Sequence, residues 1–195
     1  MDRSAYSLTH RNEPFVLTTL HHKALSQEEL VERLLAQPDR TACRAVLSTY
    51  AAQLDEPLAH LLKARADQWI RSDVQAALQI GQLLSDLSDY AGLPVARALA
   101  LTTEANALAV GGLGDYERAL ARYEQAAAIY TALQRPVDRA KVLVGKVSAL
   151  AFLGRYAEAL GDGQAAALIL QAHAQWQTLA GLNWNLAIVY GRQGD

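Results

Sequence analysis

A short turn signal returns every forty residues along this chain. Gly114-Asp115-Tyr116 is followed by Gly154-Arg155-Tyr156 and then by Gly194-Asp195. Self-similarity at a fixed period of roughly 20–50 residues marks a protein built of stacked supersecondary units. One such unit cannot bury its own apolar faces, so copies must stack. A stack offers a long surface rather than a closed catalytic cleft.

The residues between the turns say what the unit is. Ala119, Leu120, Tyr123, Ala126, Ala127 and Tyr130 fall on one face of a helix. Ala159, Leu160, Ala166, Ala167 and Leu170 return in the corresponding places of the next unit. Pro94, Pro136 and the glycine turns interrupt the apolar runs between them, so each unit reads as two antiparallel helices joined by a tight turn. Upstream, Ser26 with Glu29 reads as a capping box, the serine accepting from an amide and the glutamate reaching back. Leu30, Leu34 and Leu35 follow at helical spacing. Asp39, and Asp55 with Pro57, open two further helices. Ser72-Asp73-Val74-Gln75 reads as a second capping box. Helix breaks are expected near Pro38, Asp55, Ser72, Pro94, Gly114, Pro136 and Gly154. The expected organisation is an irregular lead-in over 1–25, a helical cap over 26–56, and repeats over 57–195, the last incomplete.

Composition narrows the function classes. Of 195 residues 51% are hydrophobic but only 7% aromatic; alanine and leucine dominate, which suits closely packed helices. The net charge of −2, without a basic stripe or polybasic run, argues against a nucleic-acid or anionic-membrane partner. Cys43 is the single cysteine and cannot form an internal disulfide, which fits a reducing compartment. The N-terminal residues lack a signal-peptide pattern and no apolar run is long enough to span a bilayer. A cytoplasmic protein is expected.

Leu186-Ala187-Ile188-Val189-Tyr190 followed by Gly194-Asp195, and Gly114-Asp115-Tyr116 with Ala119 and Tyr123, carry a resemblance. Together they resemble the two halves of the tetratricopeptide repeat (TPR). The fit departs in places: Gly81 and Gly163 stand where Tyr123 stands, and Asn106 and Lys146 stand where a leucine-like residue is usual. The resemblance covers about residues 57–195. It implies an all-α, right-handed TPR-like superhelical solenoid with an N-terminal helical cap. The long spacing and the N-terminal portion resemble the repeat arm of large bacterial multi-TPR proteins, some of which carry a caspase-like CHAT peptidase. By the same resemblance the chain is a protein-interaction scaffold that binds a partner segment on its concave face, as the N-terminal arm of a longer protein. The alternative is a regulatory sensor that binds a short peptide and controls an attached peptidase-like or DNA-binding effector.

No residue pattern points to catalysis, a cofactor or a metal. His10, His60 and His173 are isolated, and the adjacent His21 and His22 would diverge on a helix. No base stands beside Cys43 to activate it as a nucleophile. Gly111-Gly112-Leu113-Gly114 precedes a helix, but no lysine follows it and its recurrence at Gly154 reads as a turn. The chain is therefore expected not to be an enzyme. Candidate partner-binding residues are Thr103, Asn106, Lys146, Asn183, Asn185 and Trp184, with Thr102, Glu104, Lys141 and Ser148 as further polar positions on first helices. Asparagine suits such a groove because its amide both donates and accepts; a plain solvated helix face is the competing reading of each. Trp184 either packs on the preceding repeat or lines the groove. The scarcity of Lys and Arg argues against a clamp for an acidic peptide terminus. Leu186, Val189 and Tyr190 are expected to lack a covering helix, which would allow self-association through the last helix.

Overall fold

The computed structural model describes residues 24–194. Among them are nine α-helices, one short 3-10 turn and no strand. They are α1 (Gln27–Leu35), α2 (Arg40–Thr49), α3 (Glu56–Trp69), α4 (Val74–Ala91), α5 (Pro94–Ala109), α6 (Tyr116–Ala132), α7 (Pro136–Phe152), α8 (Tyr156–Ala172) and α9 (Trp176–Gln193), with the 3-10 turn Ala51–Gln53 between α2 and α3.

Local chemistry sets the boundaries. The Ser26 hydroxyl accepts from the Glu29 amide at 3.2 Å, and the Glu29 carboxylate accepts from the Ser26 amide at 2.8 Å. Asp39, Asp55 and Asp115 each take the amide three residues on, at 2.9, 3.0 and 3.2 Å. Such caps satisfy amides that a helix start would otherwise leave unpaired, each worth about 1 kcal/mol. The expected capping box at Ser72 does not form. Asp73 is the cap, accepting from the Ala76 amide at 2.9 Å, while the Ser72 hydroxyl turns back to the Trp69 carbonyl. The carboxylate, with a full negative charge at the helix N-terminus, is the stronger acceptor of the two.

Apart from α2 and α3, neighbours in sequence pack together, α2 packs on α4, and each odd-numbered helix also touches the next odd one: α1 on α3, α3 on α5, α5 on α7, α7 on α9. The odd helices form one layer and the even helices the other. Alanines make the tight contacts. Ala119, Ala126, Ala159 and Ala166 are fully buried, as are Tyr130 and Leu170 in corresponding slots. One core runs from Leu30 on α1 to Ala149 on α7, and a second joins Leu120 to α7, α8 and α9. The N-terminal pair α1–α2 therefore shares its core with the helices that follow it. The expected lead-in over residues 1–25, apart from its last two, lies outside the described residues, as do His10, His21 and His22. At the other end Val189 is fully buried beside Leu150 and Leu182, against the expectation that it would be uncovered. Leu186 is partly buried and Tyr190 is exposed. The helical period explains the split, because Val189 faces back toward α7 and α8 while Tyr190 lies about 100° around the axis.

The glycines that break the expected pattern are contacts between successive helices. A Cβ on Gly81 of α4 would meet the Thr103 methyl of α5 at 3.5 Å; one on Gly163 of α8 would meet Leu186 of α9 at 2.5 Å. Between α6 and α7 the sizes are exchanged: Gly145 on α7 faces Tyr123 on α6. The glycine-rich stretch after α5 is also a packing device. A Cβ on Gly111 would lie 2.6 Å from Val74 Cγ2 and from the Ala107 carbonyl.

Candidate functional site

Helical spacing builds a groove across the odd layer. His60, Lys63 and Asp67 lie along one face of α3; Leu99, Thr102 and Asn106 do the same on α5. Asp138, Lys141, Val144 and Gly145 come from α7 and Thr178 from α9. Tyr123 and Tyr130 reach in from α6 to form the floor of a groove of about 440 Å³.

From the floor a polar chain runs outward to the surface. Tyr123, 1% exposed, donates its hydroxyl to Asn106 Oδ1 at 2.8 Å. Asn106 Nδ2 makes a long contact of 3.5 Å with Asp67 Oδ1, and Asp67 is ion-paired to Lys63. Burial, with the charge of Asp67 adding to it, pushes the Tyr123 phenol well above its ordinary pKa. It stays protonated throughout the physiological range, and because the Asp67 carboxylate on the other side can only accept, the Asn106 amide turns its oxygen to Tyr123 and its nitrogen toward Asp67 and the groove.

One rim carries a charged bridge. Arg135, just before α7, donates Nη1 to Glu56 Oε1 at 2.5 Å and Nε to Asp138 Oδ2 at 2.6 Å. Glu56 opens α3, so this contact spans from α3 to α7 across the width of α5. His60 Nε2 lies 3.2 Å from the same Glu56 oxygen, and Lys141 Nζ lies 3.8 Å from Asp138 Oδ1. Partial burial works to raise the Glu56 pKa, but hydrogen bonds from Arg135 and His60 outweigh it and hold the carboxyl below its usual value. Lys63, Lys141 and Arg135 are thus matched by Asp67, Asp138 and Glu56, with Asp138 and Glu56 shared between neighbours, and the lining is close to neutral.

The candidate residues separate in space. Asn106 is in the groove, with Thr102 and Lys141 beside it. Thr103 is fully buried against Gly81 and returns its hydroxyl to the Leu99 carbonyl at 2.9 Å. Lys146 turns to the even layer, 2.9 Å from Asp162 and 3.5 Å from Glu124. Glu104 likewise pairs with Arg122 at 3.0 Å. Asn185 donates to the Val144 carbonyl at 2.9 Å and ties α9 to α7. Asn183 and Trp184 are exposed on α9, Trp184 by 72%. Sequence reasoning misses His60, Lys63, Asp67 and Thr178. The i, i+3, i+7 series His60, Lys63 and Asp67 is visible as a polar stripe, but nothing in the sequence says which α3 face meets α5.

Among the described residues no three His, Cys, Asp or Glu side chains come together as a metal site. Cys43 is partly buried, with its thiol directed at the Leu34 carbonyl at 3.5 Å, and burial raises its pKa. No helix among the described residues is long and apolar enough to cross a membrane. Compared with known proteins, the chain matches no family model, no curated protein and no solved structure.

Proposed function

We propose that this chain is a TPR-like interaction module that holds an extended partner segment in the odd-layer groove, without catalysis. The groove itself carries this reading: four alternate helices contribute to one open trough, with a fixed amide at its floor. The Asn106 nitrogen bears two hydrogens and has one long contact. It is available to donate to a peptide carbonyl, which is how such grooves read a backbone rather than a side chain. The balanced charges of Lys63, Asp67, Asp138 and Lys141 suit a segment without strong net charge.

The test is selection of a displayed library of random, extended peptides on the purified chain. Peptides that enrich should lose binding to Thr102→Arg and Lys141→Glu, whose side chains fill or re-charge the trough without entering the core. Peptides bound equally well by both variants, or no enrichment at all, would remove the groove from consideration.

A further inference from the structure

Tyr123 and Tyr130 stand two turns apart on the same face of α6, and both are buried, at 1% and 2% exposed. Their hydroxyls differ in one respect. That of Tyr123 is taken up by Asn106 Oδ1 at 2.8 Å. That of Tyr130 has no hydrogen-bond partner among the described residues. Nor is it sealed in the core. Among the described residues Gln27 Oε1 is the one fully buried side-chain polar atom without a partner, and Tyr130 lines the groove. The Tyr130 oxygen therefore opens onto the groove floor.

Packing does not call for this hydroxyl. The same slot of α8 holds Leu170, which is fully buried. A leucine fills the slot as well as an aromatic ring does, so the ring serves the core and the hydroxyl adds something else. Its surroundings favour a neutral acceptor. Leu99 and Val142, both buried, line the same floor. Burial raises the Tyr130 phenol well above its ordinary pKa; Asp138 and Glu56 add to the rise, and Arg135 opposes it only in part. The group is thus a neutral donor throughout the physiological range, and the acids beside it disfavour an incoming anion.

We propose that the Tyr130 hydroxyl is a second recognition point of the groove, donating to a backbone carbonyl of an uncharged, extended peptide segment while the Asn106 amide donates to another. This rests on the groove being the binding surface. Solvent serves the hydroxyl while the groove is open. A segment seated on the floor displaces that solvent, so it must bring an acceptor of its own or leave a buried donor unpaired, and the unpaired donor is the costlier outcome. Backbone carbonyls meet the demand without bringing charge to a lining that is already balanced. The two donors come from different helices, Asn106 from α5 and Tyr130 from α6, so they fix the segment at two points rather than one.

The experiment titrates the whole, isotopically labelled chain with acetyl-tetraalanine amide, a peptide that has backbone carbonyls and no charge. NMR shifts of the Asn106 side-chain amide and the Gly145 backbone amide report binding. The native chain should show saturable shifts, abolished by Thr102→Arg. Tyr130→Phe should weaken binding about tenfold, the effect of one neutral hydrogen bond. It should leave the melting temperature unchanged or higher, because the hydroxyl has no partner in the protein. The same peptide ending in a free carboxylate should bind no tighter than the amide. Shifts abolished by Thr102→Arg but equal in the native chain and in Tyr130→Phe would remove Tyr130 from recognition and leave the groove in place. No shift in the native chain up to the solubility limit of the peptide would overturn both readings. A lowered melting temperature for Tyr130→Phe would show that the hydroxyl is bonded within the protein, and tighter binding of the carboxylate form would show that the acceptor is an anion; either result overturns the assignment.

Discussion

The Tyr123 ring occupies the space that a side chain on Gly145 would need. A Cβ built on Gly145 would lie 2.6 Å from Tyr123 Cζ and from its hydroxyl oxygen. The contact does two things at once: it lets α7 close on α6, and it holds the phenol where Asn106 can accept its proton at 2.8 Å. Packing between successive helices and the floor of the groove are therefore one arrangement.

Gly145→Ala should destabilise the chain by about 1–3 kcal/mol, because the added methyl must displace a fully buried ring. The same substitution in a Tyr123→Leu background should cost clearly less than in the native chain. A double-mutant cycle by denaturant unfolding measures the coupling, and additive effects would show that the two residues do not share this space.

Two non-glycine residues hold left-handed backbone, Gln134 with φ of 56° and Ala174 with φ of 52°, each in a turn from an even to an odd helix. Alanine carries a steric penalty of about 1–2 kcal/mol there, which glycine does not. Ala174→Gly should therefore raise stability by about 0.5–1 kcal/mol despite the greater freedom of the unfolded chain. A rise in melting temperature checks it; a fall means that the turn relaxes to another conformation.

Ala159 is fully buried where α8 meets its neighbours. Ala159→Leu should cost about 1–3 kcal/mol through overpacking. The exposed Ala157 on the same helix is the control, and Ala157→Leu should change the melting temperature little.

The Glu56–Arg135 bridge should make stability sensitive to acid. The folded pKa of Glu56 is depressed, so its contribution is fully present above the unfolded value and is lost as pH falls through the folded one. Glu56→Gln should therefore lower the melting temperature modestly at neutral pH, and the difference from the native chain should shrink below the usual glutamate pKa of about 4.3. A difference that stays constant down to acid pH would show that the bridge is not formed in solution.

Much of the local architecture is legible in the sequence. Capping by Asp39, Asp55 and Asp115, the breaks at prolines and glycine turns, and the buried alanines at 119, 126, 159 and 166 all follow from side-chain chemistry and helical period, which act within a few residues. The cap after α3 differs by one position from the sequence expectation because serine and aspartate stand side by side and only the path of the turn chooses between them. Tertiary structure decided the rest. Gly81, Tyr123 and Gly163 occupy the same slot of α4, α6 and α8 and look like defects until Thr103, Gly145 and Leu186 are seen opposite them. Thr103 and Lys146 read as groove residues because they sit on first helices, yet Thr103 closes on α4 and Lys146 turns to Asp162 of α8. Periodicity shows that a helix has a polar face or an apolar one. Which neighbour that face meets depends on contacts between residues far apart in the chain, and no local preference encodes them.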